Sequence, residues 1–136
     1  MQHRRTLTTL VAIICLACGS DPHRAIAAGK TPAKVDFLRD VRPLLESRCF
    51  DCHAADTREG GLRLDRRDAA LEGGDSGRVI VPGKAGESRL IRYVSGADPD
   101  NVMPPDGEPL TGEQVALLRR WIEQGADWPG DLDGPA

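Results

Sequence analysis

The chain has 136 residues, 29% of them charged and 40% hydrophobic, which allows one ordinary domain and excludes a multi-span membrane protein. A formal charge of −3 and a pI near 5.6 argue against a nucleic-acid binder held by phosphate contacts. Two Phe, two Trp and one Tyr, set against 15 Gly and 10 Pro, describe a turn-rich chain with little of its own to fill a core.

Residues 1–27 read as an address. His3-Arg4-Arg5 is basic, Leu7 to Cys18 is mostly apolar, and Ala25-Ile26-Ala27 is a small-x-small site, the layout of a secretory signal peptide cleaved after Ala27. The apolar run is short for a permanent membrane anchor, so no integral span is expected once it is removed. A second reading is lipoprotein processing at Cys18 and membrane tethering there, although Cys15 stands where such a site usually carries an aliphatic residue. Either way the expected destination is the periplasm or an equivalent extracytoplasmic compartment. Cleavage after Ala27 leaves 15 basic against 20 acidic side chains, a formal charge of −5. It also leaves Cys49 and Cys52 as the only cysteines and His53 as the only histidine.

After a polar lead-in at 28–35, Phe37, Leu38, Val41, Leu44 and Leu45 share one side of a helical wheel, with Asp36 as N-cap. Pro43 falls on the outer face, where it removes a backbone bond and kinks the helix. Residues 54–87 are punctuated by Gly60-Gly61, Gly73-Gly74, Gly77 and Pro82-Gly83, so Leu62–Leu64 and Val79–Val81 are expected to form turns or a stub of strand. Ser88 is placed as the cap of a short helix with Leu90, Ile91 and Val94 facing inward. A loop centred on Asn101-Val102-Met103-Pro104-Pro105 follows. Thr111 and Gln114 form a capping box for a last helix whose inner face carries Val115, Leu117, Leu118, Trp121, Ile122 and Ala126. Gly125 ends it, and residues 130–136 are expected to be a disordered tail. The fold class is all-α, with N- and C-terminal helices, long loops between them, and one domain over 36–129.

Cys49-Phe50-Asp51-Cys52-His53 is C-x-x-C-H, the attachment signature of a c-type haem. Two thiols three residues apart on a helical turn can each form a thioether to a porphyrin vinyl group, and the adjacent imidazole then reaches the iron. A disulfide of thioredoxin type needs a βαβ context that the flanks lack. Structural zinc usually wants four Cys or His ligands, and the mature chain offers three. With no second histidine, Met103 is the one thioether left as sixth ligand; a methionine packed on the core, ligation by Lys84 and an open sixth site are the competing readings. Phe37, Leu45, Leu118 and Trp121 are expected to pack on the haem, so that the apoprotein would be poorly folded. Arg63, Arg66 and Arg67 are candidate partners of the propionates, or else a solvated face.

From Phe37 to Trp128 the chain resembles the planctomycete-type cytochrome c domain. The likeness runs through Val41-x-Pro43-Leu44-Leu45, Cys49-x-x-Cys52-His53, Gly60-Gly61-Leu62-Arg63-Leu64-Asp65 and Gly73-Gly74-x-Ser76-Gly77. It continues through Pro82-Gly83, Ser88-x-Leu90-Ile91, Met103-Pro104-Pro105, Leu110-Thr111 and Leu118-x-x-Trp121-Ile122-x-x-Gly125-Ala126. It implies a small helical domain of class I type with covalent haem c on Cys49, Cys52 and His53, and Met103 at the distal position. The function expected is that of an exported mono-haem electron carrier rather than an enzyme, meeting redox proteins by transient docking and binding no nucleic acid. The alternative is a haem-based sensor or gas-binding module with a weak or open sixth site. In that family the domain usually heads a much longer exported protein, and a chain ending at Ala136 fits a free-standing carrier or a detached subunit.

Overall fold

The computed structural model describes residues 33–130, so the signal, lipoprotein and tail readings lie outside the described residues. The Asp36 carboxylate accepts the Arg39 N–H at 2.9 Å and starts the first helical segment, as its N-cap position predicts. That segment is not one α-helix. Phe37–Val41 is a π-helical turn in which the Arg42 N–H bonds to the Phe37 carbonyl five residues back, and α1 (Arg42–Arg48) follows. Pro43 explains the switch: it has no N–H to give, and its ring crowds the carbonyl four residues back, so the preceding turn widens. The widened turn also rotates Leu38 to the surface, where it is 45% exposed, in contrast to the inward position expected of it.

Three further helices follow: α2 (Arg67–Glu72), α3 (Arg89–Val94) and α4 (Gly112–Glu123). No strand occurs among the described residues, and the one isolated bridge joins Gly74 to Gly77. No helix among them is long and apolar enough to cross a membrane. The capping box of α4 is complete: the Gln114 N–H donates to Thr111 Oγ1 at 3.2 Å and the Thr111 N–H to Gln114 Oε1 at 2.9 Å. Helix α4 packs on the π-helical turn, on α3 and on the 3₁₀ turn Ala85–Glu87.

Ser88 behaves differently from its expected role. It precedes α3 but makes no capping bond. Its buried hydroxyl instead accepts the Val81 N–H at 2.9 Å and donates to the Lys84 carbonyl at 3.0 Å, tying the 81–88 loop into a closed turn. The core behind these elements holds Val41, Leu45, Ile80, Leu118 and Ile122, each without exposed surface. At one end Phe37 stacks on Trp128 with ring centroids 4.1 Å apart, and Trp121 meets both at 5.7 and 5.9 Å. Trp121 Nε1–H donates to the Asp127 carbonyl at 2.9 Å, so its polar edge is satisfied.

Candidate haem site

A cleft at the C-terminal end of α1 encloses about 940 Å³ of space free of protein atoms, open solvent at its mouth included. Cys49, Cys52, His53 and Met103 all line it, so residues 50 positions apart in sequence meet at one place. Its walls are mostly apolar, from Leu62, Leu64, Val79, Leu90, Val94 and Leu110.

The C-x-x-C-H turn leaves the end of α1 and continues its curl. The Cys49 N–H reaches the Leu45 carbonyl at 2.8 Å, and the His53 N–H the Cys49 carbonyl at 2.9 Å. Residues 59–64 then fold back over the turn. The Glu59 N–H donates to the Cys52 carbonyl at 2.9 Å and the Leu64 N–H to the His53 carbonyl at 2.7 Å. His53 Nδ1 lies 3.1 Å from the Glu59 carbonyl oxygen. A carbonyl can only accept, so Nδ1 carries the proton there and Nε2 is left with its lone pair for a metal.

Burial pushes the Cys49 thiol up to about 11, against a small opposing pull from Arg48. Cys52 is raised by desolvation, with the carboxylates of Glu59, Asp51 and Asp106 adding to it. Both thiols are therefore held protonated at neutral pH. That is the reverse of a redox-active dithiol, whose attacking sulfur is lowered to stay a thiolate.

The Met103 N–H donates to the Tyr93 carbonyl of α3 at 3.2 Å, which hangs the 101–105 segment from that helix. Met103 is half-buried; it lines the cleft and also packs against the edge of the core.

The wall beside His53 is built of backbone. The Asp75 N–H bonds to the Gly60 carbonyl at 2.8 Å, and a Cβ on Gly74 would stand 2.3 Å from that same oxygen. Gly73 has φ +97°, and a Cβ there would lie 2.3 Å from the Gly77 carbonyl. The paired glycines thus serve close approach of two chain segments, where the sequence reads only as turns. Gly74→Ala is expected to cost about 1–3 kcal/mol, the usual cost of overpacking. Thermal denaturation of the haem-loaded protein checks this, and an unchanged midpoint would contradict the close-approach account.

Several expected contacts fall elsewhere. Phe37, Leu45, Leu118 and Trp121 pack with the main core and do not line the cleft. Leu62, Leu64, Val79, Leu90, Val94 and Leu110 line it in their stead. Arg63, Arg66, Arg67 and Lys84 are also absent from its lining; Arg63 instead grips Asp65 with Nε at 2.9 Å and Nη2 at 2.5 Å. Sequence reasoning missed Arg48, which does line the cleft. Its position directly before Cys49 was the available signal.

An apolar cleft lined by two thiols and one tautomer-fixed imidazole has the donor set of a c-type cytochrome, and it fits a porphyrin held by two sulfurs. Residues 49–107 match the family model described as Planctomycete cytochrome C, a segment holding all four of those site residues. The match supports a cytochrome c domain of planctomycete type over that segment, and a domain of that type implies covalently bound haem c and a role in electron transfer. Neither the curated proteins nor the solved structures compared with the chain gave a match.

Proposed function

We propose that this protein is an exported mono-haem c-type cytochrome that carries one electron at a time between redox proteins and has no substrate chemistry of its own. The observation that supports it most is the meeting of Cys49, Cys52, His53 and Met103 on one apolar cleft, with His53 Nδ1 committed to a backbone carbonyl. Haem c, when bound, supplies a ferric–ferrous couple. Cys49 and Cys52 would hold it through thioethers, His53 Nε2 and the Met103 thioether would ligate its iron, and the aliphatic walls would keep water from it. A soft thioether favours the reduced metal and so a comparatively high potential. Carboxylates of Glu59, Asp51 and Asp106 around Cys52 favour partners that present a basic surface. Docking would be brief, as for weak electron-transfer encounters. Export rests on the signal-like residues 1–27, and the extracytoplasmic space is also where covalent attachment occurs.

The test is the protein produced with a cytochrome c maturation system, denatured, and assayed for haem that stays with the chain. Haem retained by the wild type and lost from Cys49→Ala/Cys52→Ala is the expected result. Haem extracted from the wild type by denaturant would sink the reading. Carbon monoxide added to the reduced protein separates carrier from gas-binding module: slow, partial binding fits Met103 on the iron, and fast, complete binding fits an open site.

A further inference from the structure

We infer that Arg48 binds a haem propionate and, with the same guanidinium, holds the segment that carries Met103. The inference rests on the haem-binding reading above. Arg48 is the last residue of α1 and the one Lys or Arg lining the cleft among the described residues. Its Nη2 donates to the Glu108 carbonyl, 60 residues away, in the stretch between Met103 and α4. Its Nε is buried and has no hydrogen-bond partner. No carboxylate pairs with Arg48 among the described residues, whereas seven other cationic side chains there do have acidic partners.

A desolvated guanidinium N–H without an acceptor is costly, and a partly buried cation is stabilised where an anion completes it. The planar fork of arginine suits a carboxylate in particular. The group that fits this cleft brings two carboxylates of its own, and the sequence candidates Arg63, Arg66 and Arg67 do not reach the cleft lining. Arg48 therefore acts as a positioning residue. Its guanidinium stands at the cleft while Nη2 holds the stretch that follows Met103. Its positive charge also favours the ferrous state, which carries one charge less.

Two readouts on the haem-loaded protein test this. In the ferrous wild type, the ¹⁵N-labelled Arg48 Nε–H is expected to exchange slowly and to show nuclear Overhauser contacts to propionate methylene protons. Arg48→Gln, with covalent haem content unchanged, is expected to shift the oxidised-to-reduced equilibrium about tenfold toward ferric, a fall of about 59 mV for a one-electron couple. Arg48→Lys should recover part of that fall. Attached haem with no such contacts in the wild type would overturn the inference even if the potential moved, because charge at a distance would then suffice. An unchanged potential in Arg48→Gln would overturn it too. Absence of covalent haem from the wild type would overturn the haem-binding reading along with it.

Discussion

Replacing Cys49 and Cys52 together by alanine is expected to yield a chain that keeps α4 packed on the Phe37–Val41 turn but loosens the cleft walls between residue 59 and residue 110. The reason is the way apolar surface is divided. Val41, Leu45, Leu118 and Ile122 meet one another in the main core, and the Phe37–Trp121–Trp128 cluster closes one end of it; none of these lines the cleft. Helix α4 also has its own capping box. The 59–110 stretch has only six-residue helices, Arg67–Glu72 and Arg89–Val94, and turns. Helices of that length have no stability apart from what they pack against. Close-packed interiors hold few voids larger than a water molecule, so an unfilled apolar cleft would not keep these walls in place. Amide hydrogen exchange, compared residue by residue between the haem-loaded protein and the double variant, checks this. Equal protection across 59–110 would mean that the cleft stands without filling. Loss of protection in α1 and α4 as well would match the poorly folded apoprotein expected from sequence.

Trp121→Ala carries the largest expected effect on stability outside the cleft. The side chain is 1% exposed, touches two other aromatic rings and spends its N–H on the Asp127 carbonyl. Truncation of a buried aromatic costs about 3–5 kcal/mol. A small domain has only about 5–15 kcal/mol in total. At about 4–8 °C per kcal/mol, the melting midpoint should fall by at least about 12 °C. Below that midpoint the visible spectrum should match the wild type, because Trp121 does not line the cleft. A fall under about 4 °C would contradict the packing described. A spectral change in the folded variant would put Trp121 against the cofactor after all.

What could be read from sequence was local. The Asp36 cap, the Thr111 box, the inner face of α4 and the C-x-x-C-H turn each depend on residues within a few positions of one another, and each has a fixed chemical requirement. Helix α2 escaped notice because Arg67–Glu72 is too short to show a helical period and sits between glycine pairs. Ser88 was assigned to the wrong partner because a hydroxyl before a helix usually caps it, and only the folded 81–88 loop offers a better bond. The roles of Gly74, Met103 and Arg48 depend on meetings across 14, 10 and 60 residues: Gly74 against Gly60, Met103 on Tyr93, Arg48 on Glu108. No local pattern encodes such distances. The aromatic residues were foreseen as buried but set against the wrong surface, since burial follows from composition and the choice of neighbour does not.

The central claim is that His53 and Met103 together hold one covalently attached haem iron. Its most direct test is the optical spectrum of the matured protein in both oxidation states, repeated with Met103→Ala. A low-spin spectrum is expected, with a weak far-red thioether-to-iron band in the oxidised wild type, and the variant should lose that band and turn high-spin. A wild-type spectrum that is already high-spin without the band, unchanged by Met103→Ala, would contradict the claim.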